Sequence, residues 1–84
     1  MNVTVLYFAG LREALGCDRE HLVLPGHVRT AGALREWLRE RGGAWSQALS
    51  SGSLRIAVDQ DMAAADTVLH GGAEVAFFPP VTGG

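Results

Sequence analysis

The 84-residue sequence contains no lysine, because all seven of its basic residues are arginines. This absence excludes a Schiff-base lysine, the lysine of a Walker-type phosphate loop and an isopeptide acceptor on this chain. The single cysteine, Cys17, excludes an internal disulfide, although secreted domains of this size usually need several. No apolar run approaches the roughly 20 residues that cross a bilayer, and the N-terminus lacks a signal-peptide pattern. We therefore expect a cytoplasmic protein.

The size and the charge of the chain exclude further classes of function. A chain of 8.9 kDa allows one domain, predicted over residues 1–84, with little room for a deep active site of its own. Nine acidic residues against seven basic ones give a net charge of -2, whereas nucleic-acid binders normally carry a basic patch. The sequence shows no nucleophilic triad, no paired carboxylates and no metal-ligand spacing of histidines. We expect no metal, no bound cofactor, no nucleic-acid or membrane partner, and no catalysis by this chain alone.

Apolar periodicity predicts the order strand, strand, helix, strand, weak strand, strand. The predicted strands cover residues 3–8, 20–24, 54–58, 63–65 and 74–78, with short helical turns at 11–15 and 45–49. The main helix follows Thr30, a good N-cap. Its apolar residues fall on one face: Ala31, Leu34, Trp37 and Leu38. One amphipathic helix across one face of a mixed sheet gives an α+β domain of the β-grasp type.

The last six residues differ from an ordinary frayed terminus. They follow the last predicted strand directly and consist of Pro79, Pro80, Val81, Thr82, Gly83 and Gly84. The prolines fix φ and the β-branched pair favours extension, so this tail can reach about 20 Å. Its glycine tip has no side chains and can enter a narrow channel in another protein. The segment 79–84 is predicted to be an extended tail that inserts into a partner, although a Gly-Gly end also suits an idle flexible terminus.

The chemistry of this tip is that of its α-carboxylate. The sequence ends at Gly84, where we expect a free carboxylate that is ionised at pH 7 and unreactive until activated. Activation by ATP needs a separate enzyme, because the sequence has no glycine-rich loop to hold phosphates. The adenylated carbonyl can accept an amine, a thiol or sulfide, and sulfur from a persulfide would give a thiocarboxylate.

Two aromatic residues near the tail are candidates for a docking surface. Alternation along the first and last strands predicts a core under the helix, made of Val5, Tyr7, Leu34, Trp37, Leu38, Val75 and Phe77. Phe8 and Phe78 would then lie on the open face of the sheet and, with Arg12, form a partner-binding surface. The opposite parity would place both aromatics in the core, and Arg12 is equally compatible with a solvated position.

Both ends of the chain resemble the molybdopterin synthase small subunit family (MoaD). The resemblance rests on VTVLYFAGLREALG at residues 3–16 and GAEVAFFPPVTGG at residues 72–84, while the middle of the chain is less distinctive. It implies a ubiquitin-like sulfur carrier whose Gly84 is adenylated with ATP by an E1-like enzyme and receives sulfur from a persulfide. It also implies docking on a large catalytic subunit, in a heterotetramer, and sulfur donation to cyclic pyranopterin monophosphate during molybdenum cofactor biosynthesis.

Three other functions stay open on the sequence. A carrier for another pathway, such as thiazole synthesis, would also end in Gly-Gly, but such carriers are generally shorter and lack the Phe-Phe-Pro-Pro stretch. A ubiquitin-like protein modifier would be attached to its targets through Gly84. A β-grasp interaction module would leave the terminus without a chemical role.

Overall fold

A computed structural model describes residues 1–80, which form one five-stranded sheet and three helices. The strands are β1 (Asn2–Tyr7), β2 (Arg19–Val23), β3 (Arg55–Val58), β4 (Asp61–Ala63) and β5 (Glu74–Phe78). The helices are α1 (Ala9–Leu15), α2 (Ala31–Arg39) and α3 (Gly43–Ala48). Their order in the sheet is β2-β1-β5-β3-β4, with β1 and β5 parallel and the other pairs antiparallel. The predicted α+β class with a mixed sheet is confirmed.

The core lies between α2 and one face of the sheet. Six of the seven predicted core residues are fully buried: Val5, Tyr7, Leu34, Leu38, Val75 and Phe77. Trp37 is the exception, since it packs against the edge of the core and stays partly exposed. At 3.6 residues per turn it lies roughly 90° around α2 from the centre of the stripe formed by Ala31, Leu34 and Leu38. The prediction of Trp37 as a core residue is therefore corrected.

The start of α2 is fixed by its cap and by the loop that precedes β5. The Thr30 hydroxyl accepts a hydrogen bond from the Ala33 backbone N–H at 3.1 Å, as expected of an N-cap. The backbone N–H of Gly32 donates to the carbonyl of Ala65 at 2.8 Å. A Cβ atom at Gly32 would lie 2.9 Å from that oxygen, so only glycine allows the loop to approach α2 this closely.

The weak fourth strand lies two residues earlier than predicted. Asp59 and Gln60 both have positive φ, 52° and 71°, as in the tight two-residue turns that join antiparallel strands. Because the turn ends at Gln60, β4 starts at Asp61, which pairs with Val58 of β3. The prediction of a strand at 63–65 came from treating Asp61 as part of a longer turn.

Candidate functional site

The predicted tail starts at the end of the central strand. β5 lies between β1 and β3, and its last residue, Phe78, leads directly into Pro79 and Pro80. Pro79 is exposed, whereas Pro80 is partly buried. Pairing on both sides of β5 fixes the position from which the tail leaves the domain. The other predicted tail residues lie outside the described part of the chain: Val81, Thr82, Gly83 and the reactive Gly84.

Phe8 and Phe78 lie on the face of the sheet that α2 leaves open. Tyr7 and Phe77 are register partners on β1 and β5, and the N–H of Phe8 donates to the carbonyl of Phe77 at 3.2 Å. Because Tyr7 and Phe77 are buried in the core, the residues that follow them point to the opposite face. Phe8 is 47% exposed, and Phe78 is partly buried. The predicted division of inward and outward residues is confirmed, while partner binding by Phe8 and Phe78 stays a prediction.

Phe8 and Phe78 belong to a larger apolar surface, which we call the sheet patch. Leu6, Ala76, Ala57 and Met62 are successive neighbours across β1, β5, β3 and β4, and the two aromatics lie one row nearer the tail. The sheet patch consists of Leu6, Phe8, Ala57, Met62, Ala76 and Phe78. Met62, 64% exposed on an edge strand, was missed from the sequence. The alternation of inward and outward residues, continued from β3 through the two-residue turn at 59–60 into β4, is the sequence signal that could have placed Met62 on the open face.

Helix α1 begins directly after Phe8 and carries Arg12. The carbonyl of Phe8 accepts hydrogen bonds from the N–H groups of Leu11 at 3.1 Å and Arg12 at 3.4 Å. Phe8 is thus the N-cap of α1, and exposed Arg12 lies one helical turn beyond it along the chain. Buried Leu11 anchors α1, and Gly16, with φ of 67°, ends it as a left-handed glycine cap.

A polar cluster beneath the sheet supports the end of β1, directly before Phe8. The Tyr7 hydroxyl donates to Oε2 of Glu20 at 2.8 Å, and Arg41 donates to the same oxygen at 2.9 Å. Arg41 also lies over the ring of Trp45, 4.3 Å from its centroid. Burial, followed by the hydrogen bond to Glu20, raises the pKa of Tyr7 above its usual range. Tyr7 is therefore a neutral structural donor.

His70 and Asp59 connect the β3–β4 turn to the start of β5. Nε2 of His70 lies 2.6 Å from Oδ2 of Asp59, and Nδ1 lies 2.9 Å from the carbonyl of Gly71. Both partners are acceptors, so the arrangement suits the protonated imidazole. The hydrogen bond to Asp59 is the main cause that raises the pKa of His70. The backbone N–H of Glu74, followed by His70, lowers the pKa of Asp59.

Because of this pair, we expect the free energy of unfolding to decrease as the pH is raised from about 5.5 to about 8.5. The folded-state pKa of His70 is raised, so its contribution is complete below the unfolded pKa of about 6.5 and is lost as pH rises through the folded value. The Asp59 contribution, whose folded pKa is lowered, is present throughout this range and is lost only in acid. Urea unfolding at both pH values measures the difference.

The matched variants are His70→Gln and His27→Gln. His27 is an exposed histidine elsewhere on the chain, so its replacement should leave the pH dependence unchanged. His70→Gln should remove most of the loss of stability between the two pH values. An undiminished loss in His70→Gln would contradict a role for the His70–Asp59 pair.

Other candidate chemistry in the described residues is limited. Cys17 is half-buried, with its thiol 3.4 Å from the carbonyl of Arg19. His21 bonds the Thr4 hydroxyl at 3.0 Å. Residues 1–80 contain no cluster of three or more histidine, cysteine or acidic side chains that could hold a metal ion. Within the same range, the helices are all too short or too polar to cross a membrane.

Comparisons with known proteins agree with this geometry. The ThiS family model matches residues 5–84. The molybdopterin synthase sulfur carrier subunits of Haemophilus influenzae and Escherichia coli are each 42% identical to the chain over 82 residues, which cover 98% of it and 99% of each relative. These relatives match the chain through its middle as well as at its two ends.

Solved structures show the same fold. The putative molybdopterin converting factor subunit 1 of Pyrococcus furiosus is 29% identical, with a TM-score of 0.80 over 96% of this chain and 99% of that one. A chain in the complex of subunits 1 and 2 of molybdopterin-converting factor from Helicobacter pylori is 22% identical, with a TM-score of 0.69 over the full length of both. The predicted β-grasp fold is confirmed. This chain belongs to the ThiS family, and its resemblance to molybdopterin synthase sulfur carrier subunits extends over nearly its whole length.

Proposed function

We propose that the chain is the sulfur carrier subunit of a molybdopterin synthase. The observation that carries this proposal is the placement of the root of the tail, since the central strand β5 leads straight into Pro79-Pro80 beside the sheet patch, and the sequence continues as Val-Thr-Gly-Gly. Identity of 42% over 98% of the chain to two sulfur carrier subunits supports it. A domain so arranged holds the root of its tail, Pro79-Pro80, at a fixed point relative to the proposed docking surface.

In this proposal Gly84 carries the sulfur. A separate E1-like enzyme joins the carboxylate of Gly84 to the AMP part of ATP and releases pyrophosphate. Attack by a persulfide sulfur expels AMP and forms an acyl disulfide, which a thiol reduces to the thiocarboxylate and a new disulfide. The thiocarboxylate sulfur bonds to a carbon of cyclic pyranopterin monophosphate and displaces an oxygen substituent. Water then hydrolyses the resulting thioester, so that the sulfur stays on the pterin and Gly84 returns to a carboxylate. Two charged carriers serve each pterin, because a dithiolene contains two sulfurs.

The proposed partner for the last step is the catalytic large subunit. A chain of the same fold occurs together with a second molybdopterin-converting factor subunit in the Helicobacter pylori complex. The sheet patch and Arg12 would dock on that subunit while residues 79–84 enter its active site. Because β5 is paired on both sides and the root of the tail is Pro79-Pro80, little freedom is lost at this point on binding. ATP is bound by the activating enzyme and not by this chain.

Mass spectrometry of the chain from its own cells, followed by assay with the purified large subunit, tests the proposal. We expect a fraction of the chain to carry one sulfur in place of one oxygen at Gly84 and to convert the pterin precursor. An adduct that joins Gly84 to a lysine of another protein would instead indicate a protein modifier. A thiocarboxylate inactive with the large subunit would indicate a carrier for another pathway. Gly84 that is never modified would overturn every carrier function.

A further inference from the structure

The seven arginines fall into two groups by the contacts of their guanidinium groups within residues 1–80. Four donate to carbonyl or carboxylate oxygens of the chain itself: Arg29, Arg35, Arg39 and Arg41. Arg35 alone holds two carbonyls, those of Leu49 and Ser51, each at 2.6 Å. The other three form no side-chain hydrogen bond or ion pair with the described residues: Arg12, Arg19 and Arg55. Only this second group is available to a partner without loss of a contact inside residues 1–80.

Two of these three arginines flank aromatic or aliphatic members of the sheet patch. Arg19 of β2 is the register partner of Leu6, and Arg55 of β3 is the register partner of Phe78, so both side chains share the open face with the patch. Three strand spacings of about 4.8 Å separate β2 from β3, which puts the two arginine backbones at least roughly 14 Å apart. Arg12 lies on α1, whose N-cap is Phe8 of the sheet patch. We call Arg12, Arg19 and Arg55 the arginine bracket.

Two carboxylates lie at the opposite end of the sheet patch. Asp59 lies at the β3–β4 turn, and Glu74 begins β5 one row beyond the patch. Asp61 is the register partner of buried Val58 and therefore belongs to the other face.

Three carboxylates are adjacent in sequence to the bracket: Glu13, Asp18 and Glu20. None pairs with a bracket arginine in the described structure, since Glu20 instead accepts from Tyr7 and Arg41. A chain of net charge -2 therefore presents positive charge that no residue of 1–80 pairs near the root of its tail, and negative charge away from it.

Resting on the proposed function, we infer that the arginine bracket selects the catalytic large subunit through carboxylates placed on both sides of an apolar centre. Arginine is suited to this because its planar guanidinium binds a carboxylate through two parallel hydrogen bonds. Complementary charge around a docking surface accelerates encounter and rejects surfaces of the wrong sign. The acidic far end of the face opposes a reversed orientation, in which the tail would point away from the active site.

Association kinetics with the purified large subunit of the same organism test this inference. The double variant Arg19→Gln/Arg55→Gln should lower the association rate constant about 10-fold at low salt, with the difference shrinking at high salt because screening removes the steering. Its dissociation rate should change less than about threefold. The charge-keeping variant Arg19→Lys/Arg55→Lys should recover most of the association rate.

The matched control is Arg29→Gln/Arg39→Gln, which removes the same charge away from the sheet patch. It should leave the association rate within about twofold of wild type, since steering depends on where the charges lie. Circular dichroism melting checks that all three double variants keep their fold.

An equal loss of association rate in the control would indicate that net charge alone sets the rate, and it would overturn the inference about the arginine bracket. An unchanged association rate in Arg19→Gln/Arg55→Gln would overturn it as well. If the wild-type chain still transfers sulfur in either case, the proposed function stands. If the wild-type chain never binds the large subunit, the proposed function and the inference about the arginine bracket are both overturned.

Discussion

Deleting Gly84, or adding one alanine after it, is expected to abolish sulfur transfer while leaving the fold unchanged. Deletion leaves the reactive carbonyl about 3.5 Å short of its position in the partner. Addition converts the Gly84 carboxylate into a peptide carbonyl, which cannot be adenylated in the same way. Since a misplacement of about 1 Å can cost about 100-fold in rate, a one-residue displacement should cost at least about 1,000-fold.

The fold should tolerate both changes because the buried core described for residues 1–80 ends at Phe77. Thermal unfolding measures this, and assay with the activating enzyme, a persulfide donor and the large subunit measures transfer. A chain with one alanine added before Met1 is the control for length, and it should transfer sulfur at the wild-type rate. Transfer retained by either C-terminal variant would be incompatible with Gly84 as the sulfur carrier.

Local pattern was enough to predict the strands that lie at the centre of the sheet. The span of β5 was predicted at 74–78 and is observed at Glu74–Phe78, because Val75 and Phe77 alternate with less buried residues between a glycine turn and two prolines. The same alternation in β1 and β5 predicted which residues are buried. An extended tail could be predicted because its residue types act locally on the backbone. Proline and β-branched residues restrict its dihedral angles and glycine leaves them free, whatever the rest of the fold.

Features that depend on pairing between distant segments were beyond the sequence pattern. The parallel pairing of β1 with β5 joins residues about 70 positions apart and sets Phe8 beside Phe78. The place of Met62 in the sheet patch depends on positive φ at Asp59 and Gln60, which non-glycine residues adopt rarely. The arginine bracket likewise follows only from register, since Arg19 and Arg55 are 36 positions apart in the sequence.

Phe77 and Phe78 are adjacent residues of one type on opposite faces of β5, so replacing each by alanine should separate stability from binding. Phe77 is fully buried and stacks on Tyr7 with ring centroids 6.2 Å apart. Phe77→Ala should lower the free energy of unfolding by about 3–5 kcal/mol, comparable with the whole stability of many small domains. Phe78→Ala should lower it by about 1 kcal/mol or less, because the ring lies on the open face.

Binding should show the reverse pattern. Phe78→Ala should weaken association with the large subunit by about 30-fold, the effect of losing a central aromatic worth about 2 kcal/mol at an interface. Urea unfolding and calorimetric titration measure the two effects on the same protein samples, with titration done where each variant is folded. Equal destabilisation by the two variants would place Phe78 in the core. Wild-type affinity in folded Phe78→Ala would show that the sheet patch is not the docking surface, because Phe78 is the aromatic of that patch on the strand that carries the tail.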